Sequence, residues 1–283
     1  MILSNITQAQ QFLPSLNLTL ENDRFKDFFR RSQEWLVSHI IGTDIEDVLE
    51  TDISVGQPDI HDELRLKCQR VIAEKALLDA IPEMDMQLTE AGFAVQNNEN
   101  FTPASAQRVD RLIAKMPDRI KTDIDALVRF LMETSTGNGA YGCWRSSDQF
   151  NYLTAAFMPY CEEFDRFSKM PEKPYEYFYS ACANLANEMV RASDYYVSKE
   201  EVERLVELYR DDELLEIHRK AIASLKEVAV AAFLCDMHKA RHAAICAREV
   251  MLSAPDSFPA FKASTAFNNP TVNLDGGKMV NML

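Results

Sequence analysis

Residues 59–96 read DIHDELRLKCQRVIAEKALLDAIPEMDMQLTEAGFAVQ. Leu64, Cys68, Val71, Ile72, Ala76 (or Leu77) and Leu78 recur at the three-and-four spacing of one helix face, which predicts a helix from Asp59 to Ile81. Pro82, which has no N–H to continue the ladder, is expected to close it. The period then changes. Met86 and Leu88 lead into Thr89-Glu90-Ala91-Gly92, and Phe93 and Val95 follow. Alternation around a glycine-bearing turn predicts a small β-hairpin near 84–96, a unit that is marginal in water unless it packs on something else.

On the N-terminal side, Phe25, Phe28, Phe29, Ser32, Leu36, His39 and Ile40 predict an amphipathic helix over 21–41, with Gly42 as its left-handed cap. A short helix is expected over Ile45–Glu50, with Thr43 or Asp44 as N-cap, before Gly56 and Pro58 break the chain. On the C-terminal side, a polar loop (Gln96 to Asn100) precedes Thr102-Pro103, an N-cap followed by proline at the first helical position. Two helices are then expected, about 103–115 and 118–134, before the linker Ser135-Thr136-Gly137-Asn138-Gly139. The fold class expected is mainly α: two helical-bundle modules, 1–136 carrying the hairpin insertion and 137–283 ending in an irregular segment, 253–283.

In the second module, Pro159, Pro171 and Pro174 cut an aromatic-rich stretch into short helices, and a helix is expected over 174–192. Ser198-Lys199-Glu200-Glu201 matches a capping box opening a helix to Tyr209. Asp211 to Leu252 reads as nearly continuous helix, broken once near Cys235–Lys239. At an offset of 150 residues, Asp62-Glu63-Leu64 falls on Asp212-Glu213-Leu214, Ile72-Ala73 on Ile222-Ala223 and Thr43-Asp44 on Ser193-Asp194. This faint pattern suggests a degenerate duplication.

Composition bounds the chemistry. The 283 residues carry 30 Lys+Arg against 44 Asp+Glu, a formal net charge of −14, which argues against gripping nucleic acid. With 8 Gly and 11 Pro, the chain has few of the turn residues that an all-β protein needs. The N-terminus lacks the cationic start and apolar run of a secretory signal, and no apolar stretch is long enough for a membrane span. Six cysteines without a Cys-x-x-Cys pair suit reduced, mostly buried thiols.

The most pointed constellation is Cys235, His238, His242 and Cys246, whose spacings of three, four and four put them on one face of a helix. Zinc holds its ligands at about 2.0–2.3 Å, whereas eleven residues of straight helix spread the outer pair by about 16 Å. The expectation is therefore no metal, and a partly buried face with a cationic edge from Lys239, Arg241 and Arg248. His-Glu-x-x-His and Glu-x-x-His are both absent. Gly137-Asn138-Gly139-Ala140-Tyr141-Gly142 has the Gly-x-Gly-x-x-Gly spacing but follows a predicted helix instead of a strand, and Gly276-Gly277-Lys278 lacks the rest of a phosphate loop. Residues 32–64 hold nine acids and no Lys or Arg. That stretch reads as a solvated face, or else as a docking surface for a basic partner.

From Glu63 to about Arg111 the sequence resembles a family found in phages and prophages of Bacteroidetes, whose members look like head-tail connector (adaptor or head-completion) proteins of tailed phages. The resemblance rests on Leu78-Asp79-Ala80-Ile81-Pro82, on Met86-Gln87-Leu88-Thr89 with Gly92-Phe93-Ala94-Val95, on Asn98 to Asn100, and on Thr102-Pro103-Ala104-Ser105. Residues 137–283 do not show this signature. The resemblance implies a structural virion protein of the neck, assembled in the bacterial host cytoplasm. It would form rings with copies of itself and contact portal and tail proteins, with no catalytic residue, cofactor or metal, no specific nucleic-acid binding and no membrane. A second reading keeps a helical metal protein or enzyme using the Cys235, His238, His242 and Cys246 face.

Overall fold

A chain with apolar residues at helical spacing and few glycines gains most by burying helix faces against one another. The computed structural model does this, and the protein is mainly α. It describes residues 1–13, 22–51, 58–84, 86–89, 92–95, 106–136, 141–168 and 174–269. The chain forms two units, Met1–Asn151 with Pro171–Tyr179 and Tyr152–Met170 with Ser180–Leu283.

In the first unit, α1 (Ile6–Gln10) begins at Asn5, whose side chain accepts the Gln8 N–H. α2 (Asn22–Leu36) buries Phe25, Phe28, Phe29, Ser32 and Leu36 and widens into a π turn, Val37–Ile41. The helix ends at Gly42, at φ +76° and ψ 166°, whose N–H donates to Val37 O at 2.9 Å. α3 (Thr43–Glu50) starts at the next residue. Its N-cap is Gly42, not Thr43 or Asp44: the Gly42 carbonyl accepts the Glu46 N–H at 3.3 Å, so one residue stops one helix and starts another.

α4 (Pro58–Met84) runs through Pro82, which sits in its last turn and costs the ladder one bond without ending it. Two strands follow, β1 (Met86–Thr89) and β2 (Gly92–Val95), paired antiparallel with Met86 opposite Val95 and Thr89 opposite Gly92. α5 (Ala106–Thr134) is one helix where two were expected, because Pro117 lies inside it. Pro117 removes one hydrogen bond of the ladder without ending the helix; the buried stripe starts at Met116, directly before it, and runs on through Ile120, Ile124, Leu127, Val128 and Leu131, while 107–115 are exposed or half-buried. α4 packs on both α2 and α5.

Residues 141–151, assigned by sequence to the second module, pack with the first unit. α6 (Gly142–Arg145) seats fully buried Trp144, whose indole N–H donates to Ile40 O at 2.8 Å, and α7 (Asp148–Thr154) follows. The Thr102-Pro103 cap, the glycines of the proposed linker and the segment beyond Asn269 lie outside the described residues.

The second unit contains α8 (Cys161–Asp165) and most of α9 (Pro174–Ser193), then α10 (Lys199–Arg210), α11 (Glu216–Phe233) and α12 (Met237–Ser253). α11 and α12 pack as a helical hairpin whose turn carries Cys235 at φ +62°, and Asp236 caps α12 by accepting the Lys239 N–H. Residues 255–268, expected to be irregular, fold into a 3-10 turn (Pro255–Ser257), α13 (Pro259–Ala263) and α14 (Thr265–Asn268). Of the three offset pairs, Ile72-Ala73 and Ile222-Ala223 both lie inside helices, and the other two differ in local structure. Asp62-Glu63-Leu64 is inside α4, whereas Asp212-Glu213-Leu214 is the turn before α11, with Asp212 at φ +57°. Thr43-Asp44 opens a helix and Ser193-Asp194 ends one.

Candidate functional site

Four places gather chemistry. The first is the Cys/His face. Cys235 sits in the turn ahead of α12, so the predicted helix face holds only His238, His242 and Cys246. Both histidines are exposed. Cys246 Sγ lies 3.9 Å from His242 Nδ1, and burial together with the nearby Glu249 and Glu227 carboxylates raises its thiol pKa. Among the described residues, no three His, Cys, Asp or Glu side chains stand close enough to hold a metal. Arg248, expected on a cationic edge, is instead buried: its guanidinium donates to Phe267 O at 3.1 Å and to Asn269 O, tying α12 to the end of α14.

The second is an acidic cleft of about 510 Å³ in the first unit, lined by Glu34, Asp44, Glu46 and Asp148 together with Ser38, Thr43, Ser146, Ser147 and Gln149. No cation lines it. Part of the acidic stretch 32–64 is therefore gathered at the α2–α3 corner, and Glu46 of the cleft, like Glu50 beside it, also takes a hydrogen bond from a buried amide. Gln33 accepts the Ile2 N–H at 2.8 Å and donates to Glu46 and Glu50 at 2.6 and 3.0 Å. Gln69 donates to Ile2 O at 2.8 Å, so two buried amides clamp the backbone of one residue.

The third is a cleft of about 470 Å³ beside α4 and α5, lined by Gln11, Phe12, Arg70, Glu74, Asp118, Arg119, Thr122 and Asp123. Glu74 is 2% exposed. Its Oε1 takes a charged hydrogen bond from Arg119 at 2.5 Å, and its Oε2 is sealed from solvent with no donor. Burial, and then the neighbouring Asp123 carboxyl, raise the Glu74 pKa to about 7 against the pull of Arg119.

The fourth is a cavity of about 300 Å³ in the second unit, where Arg166, Arg219 and Lys226 meet Glu163 over Phe167, Tyr209, Leu214 and Ile222. Lys226 pairs with Glu163 at 3.0 Å.

Sequence reasoning missed a buried polar hub in this second unit. Glu201, fully buried, was expected to close the capping box. Ser198 does accept the Glu201 N–H at 3.3 Å, but the Glu201 carboxylate turns away. It accepts the Phe261 N–H at 2.9 Å and the Arg204 guanidinium at 2.8 and 2.9 Å. Arg204 also donates to Ser257 O at 2.8 Å. His218 Nδ1 accepts the Leu215 N–H at 3.2 Å, which leaves its Nε2–H to donate to Ser257 O at 3.0 Å. The hub is structural: each polar group is used to anchor the turn at 255–261.

No described helix is long and apolar enough to cross a membrane. Residues 26–153 match a family of unknown function (DUF6712). No curated protein and no solved structure is significantly similar to the chain.

Proposed function

We propose that the protein is a structural component of a tailed-phage neck, a head-tail connector or adaptor that assembles into a ring with copies of itself and contacts portal and tail proteins. In this reading it resides in the virion after assembly in the host cytoplasm. It works by shape and surface, without catalysis, cofactor, nucleic-acid recognition or membrane insertion. Its two modules are helical, the first carrying the hairpin as an arm for a neighbouring subunit.

The observation that carries the reading is the placement of β1 and β2. Two long helices, of 27 and 29 residues, flank a four-residue strand pair that has no third strand among the described residues. A two-stranded ribbon is marginal by itself, and its outer edges offer unpaired backbone groups to another chain. The resemblance over Glu63 to Arg111 lies wholly inside the span matched by the family of unknown function, 26–153, which supports treating this region as the working module. The acidic cleft adds a surface suited to a basic partner and repulsive to a passing duplex.

Mass photometry of the purified protein, alone and with the portal and capsid proteins encoded beside it, tests the proposal. A discrete ring-sized oligomer, or a stoichiometric complex with a neighbouring virion protein, is expected. A strict monomer under all conditions, with no affinity for either protein, refutes it.

A further inference from the structure

The Glu74–Asp123 contact poses a problem of hydrogen bonding. Glu74 Oε2 is sealed from water and has no donor, yet the Asp123 carboxyl lies within hydrogen-bonding reach of Glu74. Two ionised carboxylates are acceptors only, so neither can satisfy the other, and a buried acceptor without a donor is costly. A metal does not fit, because no third ligand stands close among the described residues.

The other charges around the pair are accounted for. Arg119, on α5, takes Glu74 Oε1, and Arg70, on α4, lies 3.6 Å from Asp123. Asp118 on α5 adds negative charge to the rim, while Gln11 and Phe12, just beyond α1, bring none. α2, which also packs on α4, contributes no charged group to the cleft lining. Lys75, next in sequence to Glu74, is paired with Asp79 at 2.9 Å and lies over the Trp35 ring.

We propose that Glu74 and Asp123 form a one-proton site between α4 and α5. A single proton on Glu74 Oε2 bridges to Asp123, and the pair then carries one negative charge between two arginines. When the site deprotonates, the O–H bond breaks, the proton passes to solvent, and two facing carboxylates remain in a buried contact between the helices. The packing of α4 on α5 is therefore tightest with the proton in place and loosens as pH rises through neutrality.

The sign follows from linkage. The folded state holds a proton that the unfolded chain releases near 4.5, so the folding equilibrium constant falls between that value and about 7 and is level above it. The full excursion is at most about 300-fold, the tenfold-per-pH slope of one proton taken over that window. Both tryptophans, Trp35 and Trp144, belong to the first unit, so indole fluorescence during urea unfolding reports on it selectively.

The test is urea unfolding of wild type and Glu74→Gln from pH 4 to 8. The wild-type constant is expected to fall by up to about 300-fold relative to the variant. Parallel pH profiles overturn the proposal. Should Glu74→Gln not fold, carboxyl-carbon NMR of glutamate-labelled wild type decides: one glutamate titrating near neutrality supports the site, and none overturns it. Asp123→Asn, whose amide can donate to Glu74, is expected to bring that titration down toward the ordinary carboxyl range. An unchanged titration means burial alone raises Glu74 and overturns the shared proton.

Discussion

Glu201→Ala should unfold the last third of the described chain more readily than any exposed substitution. The carboxylate is fully buried and receives three hydrogen bonds, two from Arg204 and one from the Phe261 N–H. Removing one member of a buried charged pair costs about 3–5 kcal/mol, because the other is left uncompensated. Arg204 is 28% exposed and can recover some hydration, which pulls the figure to the lower end. The orphaned Phe261 N–H then adds about 1 kcal/mol or more, so about 4 kcal/mol is expected. Glu201→Gln keeps an acceptor for Phe261 but sets an amide against Arg204, and about 2 kcal/mol is expected by the same arguments.

Replacing both partners (Glu201→Gln with Arg204→Met) should cost less than the sum of the single changes by at least about 1 kcal/mol, the signature of direct coupling. Hydrogen exchange read on peptides spanning 255–264 is the assay of choice, because it localises the loss to the turn that the hub anchors. Unchanged exchange there, or a Glu201→Ala cost under about 0.5 kcal/mol, as for an ordinary surface change, would refute the reasoning.

Other outcomes follow from the same geometry. Gly42→Ala should destabilise the first unit by about 1–3 kcal/mol, because the residue sits at φ +76° and an added Cβ would meet Gln149 Oε1 at 2.9 Å; urea titration of the variant measures this. Trp144→Phe should cost about 2 kcal/mol or more by leaving Ile40 O without its buried donor and opening a void, readable as a lowered unfolding midpoint. Thiol labelling at pH 8 followed by mass spectrometry should modify Cys235, which is exposed, long before Cys68 and Cys182, whose burial pushes their pKa values up to about 12 and keeps them protonated. Rapid labelling of Cys68 in the folded protein would contradict the packing of α4.

The helices were legible because apolar spacing is a local signal. Phe25, Phe28, Phe29 and Leu36 are all buried as their periodicity requires, and Pro174 to Ser193 is a helix as expected. Failures cluster where a distant contact outweighs a local rule. Pro117 reads as a helix break, yet α5 runs through it, its buried stripe starting at Met116 and continuing to Leu131. Glu201 reads as one half of a capping box, but a backbone N–H sixty residues away claims its carboxylate. Arg248 reads as a surface cation, because nothing near it in sequence shows that it holds two carbonyls at the end of α14. The four-residue Cys/His pattern is periodic on paper, but the left-handed turn at Cys235 takes its first member off the helix. Glu74 carries no sequence mark at all, since a buried glutamate and an exposed one occupy the same helical spacing.

Gly42 has one further consequence, concerning chain length. Since a single residue both terminates the π turn and opens α3, no spare residue exists at the corner to absorb an insertion or a deletion. One added residue would rotate α3 by about 100° about its axis, swinging Ile45 and Leu49 out of the core and putting Asp44 and Val48 in their places. The corner can therefore drift in composition but not in length. Related chains that keep this helix pair should align through it without a gap, and insertion scanning should find its least forgiving sites at Ile41 and Gly42.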